Sequence, residues 1–150
     1  MKKFRFRLEK VLAYKTRLYD IARNKHAAAV NTLRCAEAKL ESLRETYKNC
    51  LFELAQKTTR NFRVRDLGPY YRYMTFIKRE IANQSRTVVQ ALKEEEQCRK
   101  TLMARAKEKD VLTKLRDKQY SEYRYALDKE EQKFLDGITV AKFAREIKVR

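Results

Sequence analysis

Glycine and proline are nearly absent from this chain, and their scarcity is the strongest constraint on its fold. The 150 residues include two glycines, Gly68 and Gly137, and one proline, Pro69. A compact domain built from many short elements needs such turn residues at frequent intervals, and this sequence does not supply them. We therefore expect few secondary-structure elements, each of them very long, with a break near Gly68 and Pro69.

The apolar residues predict two long helices on either side of that break. They recur at steps of three and four residues, which is the spacing of one face of an α-helix. The break is polar and ends in Gly68 and Pro69, and proline is well tolerated in the first turn of a helix. We predict a first helix over about 4–57, a connection over about 58–68 and a second helix over about 69–145, within a single domain spanning 1–150.

Each predicted helix carries one narrow apolar stripe. In the first helix it comprises Phe4, Leu8, Val11, Leu18, Ala22, His26, Ala29, Leu33, Ala36, Leu40, Leu43, Tyr47, Cys50 and Leu54. In the second it comprises Met74, Ile77, Ile81, Gln84, Val88, Ala91, Leu92, Cys98, Leu102, Leu112, Leu115, Gln119, Tyr123, Leu127, Phe134, Ile138 and Ala141. Helices with so narrow a stripe are not stable alone in water, so the two must pack against each other. The predicted fold is all-α: a long antiparallel two-helix coiled-coil hairpin.

The position of the break sets the predicted register of this hairpin. Pairing around a turn near residues 63–64 places Leu43 in the region of Gln84, Leu8 near Tyr120 and Phe4 near Tyr123. The aromatic start of the first helix is then expected to meet Tyr120, Tyr123 and Tyr125. Aromatic contacts of Phe4 with the tyrosines would then hold the open end of the hairpin together. Residues beyond about 128 have no partner in the first helix, so we expect the C-terminal end of the second helix to overhang.

The net charge of +17 is concentrated in three segments. Residues 1–25 contain nine basic and two acidic side chains, residues 57–72 contain five and one, and residues 138–150 contain four and one. A strongly positive surface attracts acidic partners and disfavours self-association. We expect a monomer that binds an acidic protein face, an anionic membrane or a nucleic acid.

The residue types that carry catalysis are missing or scattered. Neither glycine joins a strand to a helix, so no phosphate-binding loop is predicted. His26 is the single histidine, and a lone histidine in an apolar stripe is more often a packed residue than a catalytic base. A two-helix hairpin also offers no deep pocket. We expect a protein that is not an enzyme and that needs no cofactor.

A metal site is not predicted either. The three cysteines, Cys35, Cys50 and Cys98, are odd in number and lack metal-ligand spacing, so we interpret them as reduced thiols that pack as small apolar residues. The acidic run of residues 94–96 is interpreted as a solvated helix face, because successive residues point in different directions around a helix. The basic start of the chain lacks the apolar run of a signal peptide, so a cytoplasmic location is expected.

Three segments of the chain resemble the FliJ family of flagellar type III export proteins. The opening Phe-Arg-Phe-Arg-Leu-Glu-Lys-Val-Leu of residues 4–12 resembles the aromatic-x-aromatic-x-Leu signature of that family. Residues 70–84 are similar to the start of its second long helix. Residues 123–136, followed by Phe143, are similar to its C-terminal segment. The resemblance runs over nearly the whole chain.

The resemblance implies a cytoplasmic, non-catalytic stalk that links two larger components at the inner face of the cell membrane. In that family the terminal segments are implied to sit in the ring of the export ATPase FliI, and another part is implied to contact the export gate protein FlhA. Binding of free export chaperones is also implied. The candidate ATPase contacts in this chain are Lys2, Lys3, Arg5, Arg7, Lys142 and Arg145. The candidate gate contacts, carried over from the family pattern, are Leu40, Leu43, Tyr47, Phe76 and Ile77.

Two alternatives to a flagellar stalk stay open at this point. The first is the equivalent stalk of a non-flagellar type III secretion system. The second is a basic coiled-coil protein that binds nucleic acid, since Tyr70, Tyr71, Arg72 and Tyr73 alternate rings with a cation as single-strand binders do. The simpler interpretation is that Phe4, Phe6, Tyr70 and Tyr73 pack between the helices or cap them, flanked by solvated arginines. No known nucleic-acid-binding motif accompanies them.

Overall fold

Two long α-helices make up the fold. The computed structural model describes residues 3–58, 65 and 67–148, without the side chains of residue 58 and of residues 142–148. Helix α1 spans Glu9–Thr58 and helix α2 spans Leu67–Lys148. The predicted all-α antiparallel hairpin is confirmed. Within the described residues, neither helix contains a stretch with the length and apolarity that crossing a bilayer requires.

Helix α1 begins at Glu9, five residues after the predicted start. Phe6 is buried and Phe4 is half-buried, while Arg5 between them is exposed. In a helix, two residues that are two positions apart point in nearly opposite directions, so Phe4 and Phe6 face α2 together only from an extended backbone. The helix then starts with the Glu9 amide donating to the Phe6 carbonyl at 3.3 Å.

Because α1 starts later than predicted, the predicted apolar stripe is also wrong near the beginning of the helix. Counting at helical spacing from Phe4 places Val11 in the seam, which is the line of contact between α1 and α2. In the structure Val11 is exposed and Leu12 is buried. The count fails because residues 3–6 are not helical, and the correct phase begins only at Leu8.

Helix α2 begins at Leu67, two residues before the predicted start at Pro69. Proline is compatible with this position because the amides of a first helical turn have no acceptor within the helix. Gly137 lies within α2 without interrupting it. The helix continues to Lys148, slightly beyond the predicted end near residue 145.

The chain divides into two compact units, and each contains part of both helices. The central unit is Tyr19–Ala104, and the terminal unit is Met1–Leu18 together with Arg105–Arg150. The prediction of one domain over residues 1–150 stays a prediction.

In the central unit, α1 and α2 run antiparallel. Lys57 bonds to the Tyr70 hydroxyl, Lys78 lies 5.5 Å from the Tyr47 ring centroid, and further along Gln84 reaches Ala36. In these three contacts the residue number of the α1 partner decreases as that of the α2 partner increases, as it must in an antiparallel pair. The buried seam residues are mostly small or aliphatic: Ala22, Ala36, Leu40, Cys50, Met74, Ile77 and Ala91.

The Gln84 side chain bonds to Ala36, which lies seven residues along α1 from Leu43, the residue that the position of the turn places in the region of Gln84. Gln84 donates from Nε2 to the backbone carbonyl of Ala36 at 2.9 Å. The small side chain of Ala36 leaves the carbonyl accessible, so the long amide side chain of Gln84 extends to it. Pairing from the turn position alone does not take such a reach into account.

In the terminal unit, the predicted aromatic contact is confirmed for Tyr120 and Tyr123, whereas Tyr125 is 71% exposed. The Phe4 ring lies 5.3 Å from Tyr120 in an edge-to-face arrangement and 5.6 Å from Tyr123. Lys15 bonds to Glu108 at 2.6 Å further along the same pair of helices. Beyond these contacts, every described side chain from residue 128 to 141 is exposed, as expected for the overhanging end of α2.

Candidate functional site

A row of basic side chains at the start of the chain faces outward. Lys3, Arg5 and Arg7 are exposed and alternate with the inward Phe4 and Phe6. The extended backbone produces this alternation, since successive side chains of an extended segment point to opposite sides. Packing of the rings against α2 therefore determines the direction of the cations. The surface made by Lys3, Arg5 and Arg7 is called the N-terminal basic row below.

The structure does not describe the side chains of the other three predicted ATPase contacts. Lys2 and the side chains of Lys142 and Arg145 lie outside the described residues. The backbone of residues 142 and 145 belongs to α2. No contact of these six residues with a partner is tested by the structure, so the assignment stays a prediction.

The five predicted gate contacts differ in their exposure. Leu40 and Ile77 are buried in the seam, and Leu43 and Tyr47 are half-buried there. Phe76 is 59% exposed and points away from the seam. Of these five side chains, only Phe76 is mostly exposed, so a partner can contact its ring without separation of the two helices.

Neighbours of Phe76 form a surface that the sequence interpretation missed. Arg72, Tyr73 and Arg79 are exposed and lie three or four residues from Phe76, which makes them its neighbours on the helix. The spacing of three and four residues from Phe76 was visible in the sequence and could have predicted this surface. The interpretation of Tyr73 as a seam residue is wrong, because nearly half of its side chain is exposed. Phe76, Arg72, Tyr73 and Arg79 are called the Phe76 surface below.

Polar groups bridge the seam at several positions. His26 Nε2 lies 2.8 Å from Glu95 Oε1 in the central unit, and both side chains are half-buried. The expectation of a packed histidine is therefore confirmed. The interpretation of residues 94–96 as a solvated face holds for Glu94 and Glu96 and is wrong for Glu95, which faces α1.

In the terminal unit, Glu108 is the centre of a charged group. It accepts from Lys15 at 2.6 Å and from Arg105 at 3.2 Å. The hydrogen bond from Lys15, more than the one from Arg105, holds the pKa of Glu108 below its ordinary value. The Glu108 side chain stays 39% exposed, so solvent screens the pair.

Among the described residues, no three histidine, cysteine or acidic side chains converge as metal ligands would. Cys50 is buried, Cys98 is half-buried and Cys35 is exposed, and all three are free thiols. The geometry offers exposed basic and aromatic surfaces on paired helices. Aromatic residues and arginine are the residue types enriched at hot spots of protein interfaces.

Comparisons with known proteins agree with this geometry. The family model described as the flagellar FliJ protein matches residues 4–148. A solved structure, that of a YscO homologue from Chlamydia trachomatis, is similar with a TM-score of 0.51 and 19% sequence identity. That similarity covers 91% of this chain and 93% of the other, and it concerns the fold. No curated protein matches the sequence. Since the family match spans nearly the entire sequence, the chain belongs to the flagellar FliJ protein family.

Proposed function

We propose that this chain is a non-catalytic stalk of the flagellar type III protein export apparatus. In this proposal the terminal unit binds within the ring of the export ATPase FliI, and the central unit contacts the export gate protein FlhA. The protein then acts in the cytoplasm, at the inner face of the membrane, through the export apparatus. Binding of export chaperones belongs to the same proposal.

The observation that carries the ATPase part is the outward direction of the N-terminal basic row. Lys3, Arg5 and Arg7 are exposed on a segment in which Phe4 packs against Tyr120 of α2 and Phe6 is buried. The row is therefore preorganised, and little conformational entropy is lost when an acidic partner binds it. Membership of the FliJ family supports FliI as that partner.

Charge reversal with a matched control tests the ATPase contact. The triple variant Lys3→Glu, Arg5→Glu, Arg7→Glu removes the basic row, while Arg23→Glu, Arg34→Glu, Lys39→Glu makes the same change of charge at exposed sites of the central unit. We expect binding to purified FliI to weaken about tenfold or more for the first variant, which corresponds to about 1.4 kcal/mol or more. Equal weakening by the two variants would contradict a local contact.

The Phe76 surface carries the gate part of the proposal. A large exposed ring with two arginines beside it is typical of an interaction hot spot, because aromatic residues and arginine are enriched there. Leu40, Leu43, Tyr47 and Ile77 then act indirectly, since their packing in the seam holds Phe76 in place. The proposal thus narrows the five predicted contacts to one direct contact.

Phe52 provides the control for the gate contact. It is exposed to a similar extent, 65% against 59% for Phe76, and lies on α1 of the same unit. Phe76→Ala is expected to weaken binding to purified FlhA by about tenfold or more, as hot-spot truncations do. Phe52→Ala is expected to leave that binding unchanged. The reverse order of effects would remove Phe76 from the contact.

The nucleic-acid alternative is less well supported. Tyr70 is half-buried and bonded to Lys57, so its ring is not free to stack on a base. Tyr71 and Tyr73 are exposed, and two residues apart on a helix they point to different sides. A stacking platform needs rings on one face. Weak binding of single-stranded DNA, with no difference between Tyr71→Ala and Tyr73→Ala, is the expected result.

A further inference from the structure

The face of α2 that packs against α1 continues beyond the last contact with α1. In the terminal unit, Thr113 and Leu127 are half-buried on this face, and Tyr120 between them touches Phe4. These three residues are seven positions apart, which is the repeat of a coiled-coil seam. The next positions of the same series are Phe134 and Ala141, and both are exposed. The seam pattern therefore extends two heptads past its intrachain partner.

The extension carries apolar side chains at Phe134, Ile138 and Ala141, with Glu130 at seam spacing between Leu127 and Phe134. Phe134 is 69% exposed, and Ile138 follows it by four residues on the same side of the helix. A shallow hollow lies here, lined by Glu130, Glu131, Phe134 and Leu135. Large exposed rings next to a concavity are costly to leave in water and are typical of interaction sites. The stripe of Leu127, Phe134, Ile138 and Ala141 is called the open seam below.

Between Leu127 and Ala141 the net charge is opposite in sign to that of the whole chain. Residues 127–141 contain four acidic side chains and two basic ones, in a chain whose net charge is +17. Glu130 and Glu131 line the hollow directly. A partner that fits this surface therefore carries apolar residues flanked by basic ones.

We propose that the open seam is a docking surface for an amphipathic helix of another protein, with basic side chains beside its apolar stripe. Such a helix would pack on the open seam in the way that α1 packs on the preceding part of α2, and it would complete the seam. Its basic residues would pair with Glu130 and Glu131. The inference goes beyond the proposed function, because it holds whichever protein supplies the helix.

Two other occupants fit the charges less well. A second copy of this chain would bring a net charge of +17 to a surface of the same molecule, and an isologous contact would place the acidic flanks of both copies close together. An anionic bilayer would meet Glu130 and Glu131 at the edge of the apolar stripe, and like charges repel. A basic helix meets neither obstacle.

Designed peptides test the proposal without any export protein. One probe is a fluorescent helical peptide of about three heptads with Leu at the seam positions and Lys beside them. The second probe has Glu in place of Lys. The overall charge of the chain favours the Glu peptide, whereas the open seam favours the Lys peptide. We expect the full chain to bind the Lys peptide about tenfold more tightly or better.

Variants locate the binding on the helix. The double variant Phe134→Asp, Ile138→Asp is expected to weaken binding of the Lys peptide about tenfold or more. Val140→Asp is the control, because Val140 is 68% exposed but lies on the other side of α2. It is expected to change that binding less than about twofold. The double variant Glu130→Lys, Glu131→Lys is expected to shift the preference towards the Glu peptide.

Several results would overturn the proposal. One is tighter binding of the Glu peptide to the unmodified chain, which would mean that the overall charge dominates. Another is an equal loss with Val140→Asp. Dimerisation in sedimentation experiments, or binding to phosphatidylserine vesicles, would also overturn it if either is abolished by Phe134→Asp. Those outcomes would assign the open seam to a second copy or to a membrane.

Discussion

The side-chain amide of Gln84 donates a hydrogen bond to the backbone carbonyl of Ala36, on the opposite helix, with Nε2 and O 2.9 Å apart. Gln84 is the one polar residue among the buried side chains of the described chain. A buried polar group in a seam is stable when it is bonded, and it disfavours registers in which it would lose its partner. This contact therefore helps to specify which residues of α1 face α2 in the central unit.

Replacing Gln84 separates its packing from its hydrogen bond. Gln84→Ala leaves a cavity and is expected to lower the free energy of unfolding by about 1–3 kcal/mol. Gln84→Leu keeps most of the volume and is expected to cost less than about 1 kcal/mol, because the Ala36 carbonyl retains its bond within α1. Urea denaturation measures both. A larger loss for Gln84→Leu than for Gln84→Ala would contradict this account.

Phe4 connects the N-terminal basic row to α2. Phe4→Ala removes contacts with Tyr120 and Tyr123, and we expect local stability to fall by about 1–3 kcal/mol. Amide hydrogen exchange around Tyr120 and Tyr123 should then become faster. Tyr125→Ala is the control, because Tyr125 is exposed on the same helix and should alter exchange little. Equal effects of both variants would mean that the aromatic contact does not order this segment.

The pKa of Glu108 predicts one dependence of stability on acidity. Its pKa is lowered in the folded chain, first by the hydrogen bond from Lys15. A carboxyl group with a lowered pKa stabilises the fold above its unfolded pKa, and this contribution is lost as the pH falls through the folded pKa. The stability difference between the unmodified chain and Glu108→Gln should therefore be largest near neutral pH and shrink below about pH 4.3.

Unfolding of both proteins at several pH values measures this difference. Glu37→Gln, at an exposed site of the central unit, controls for the loss of one negative charge. A stability difference between the unmodified chain and Glu108→Gln that increases as the pH falls would contradict this prediction.

Gly137 lies in the overhanging end of α2, and a methyl group added there meets no atom within 4 Å. Gly137→Ala is expected to stabilise the helix locally by about 1 kcal/mol, since alanine loses less backbone entropy than glycine. Hydrogen exchange of the amides of residues 130–141 should slow accordingly. Faster exchange would mean that the glycine is required for the conformation of this segment.

The periodicity of the apolar residues was sufficient to predict both helices, because a long two-helix fold has almost no other determinant. It was not sufficient at Phe4 and Phe6, where alternation in an extended segment replaces helical spacing. It also failed at Glu95, because a charged residue in a seam gives no apolar signal. The contact of Glu95 with α1 becomes apparent only in the structure, where His26 lies opposite Glu95.

The candidate sites were harder to predict for a related reason. The same apolar spacing marks a residue that closes the seam, such as Ile77, and one that is exposed beside it, such as Phe76. The two are adjacent in sequence, and only the exact phase of the helix separates them. The open seam was included in the predicted stripe, but its acidic surroundings are apparent only when Glu130 and Glu131 are placed around Phe134.

The most direct test of the account is the rate of ATP hydrolysis by purified FliI with and without this chain. A stalk that binds within the ATPase ring is expected to raise that rate, and the Arg23→Glu, Arg34→Glu, Lys39→Glu variant should raise it equally. The Lys3→Glu, Arg5→Glu, Arg7→Glu variant should leave the rate near that of FliI alone. An unchanged rate with the unmodified chain, or full stimulation by the variant that lacks the basic row, would contradict the account.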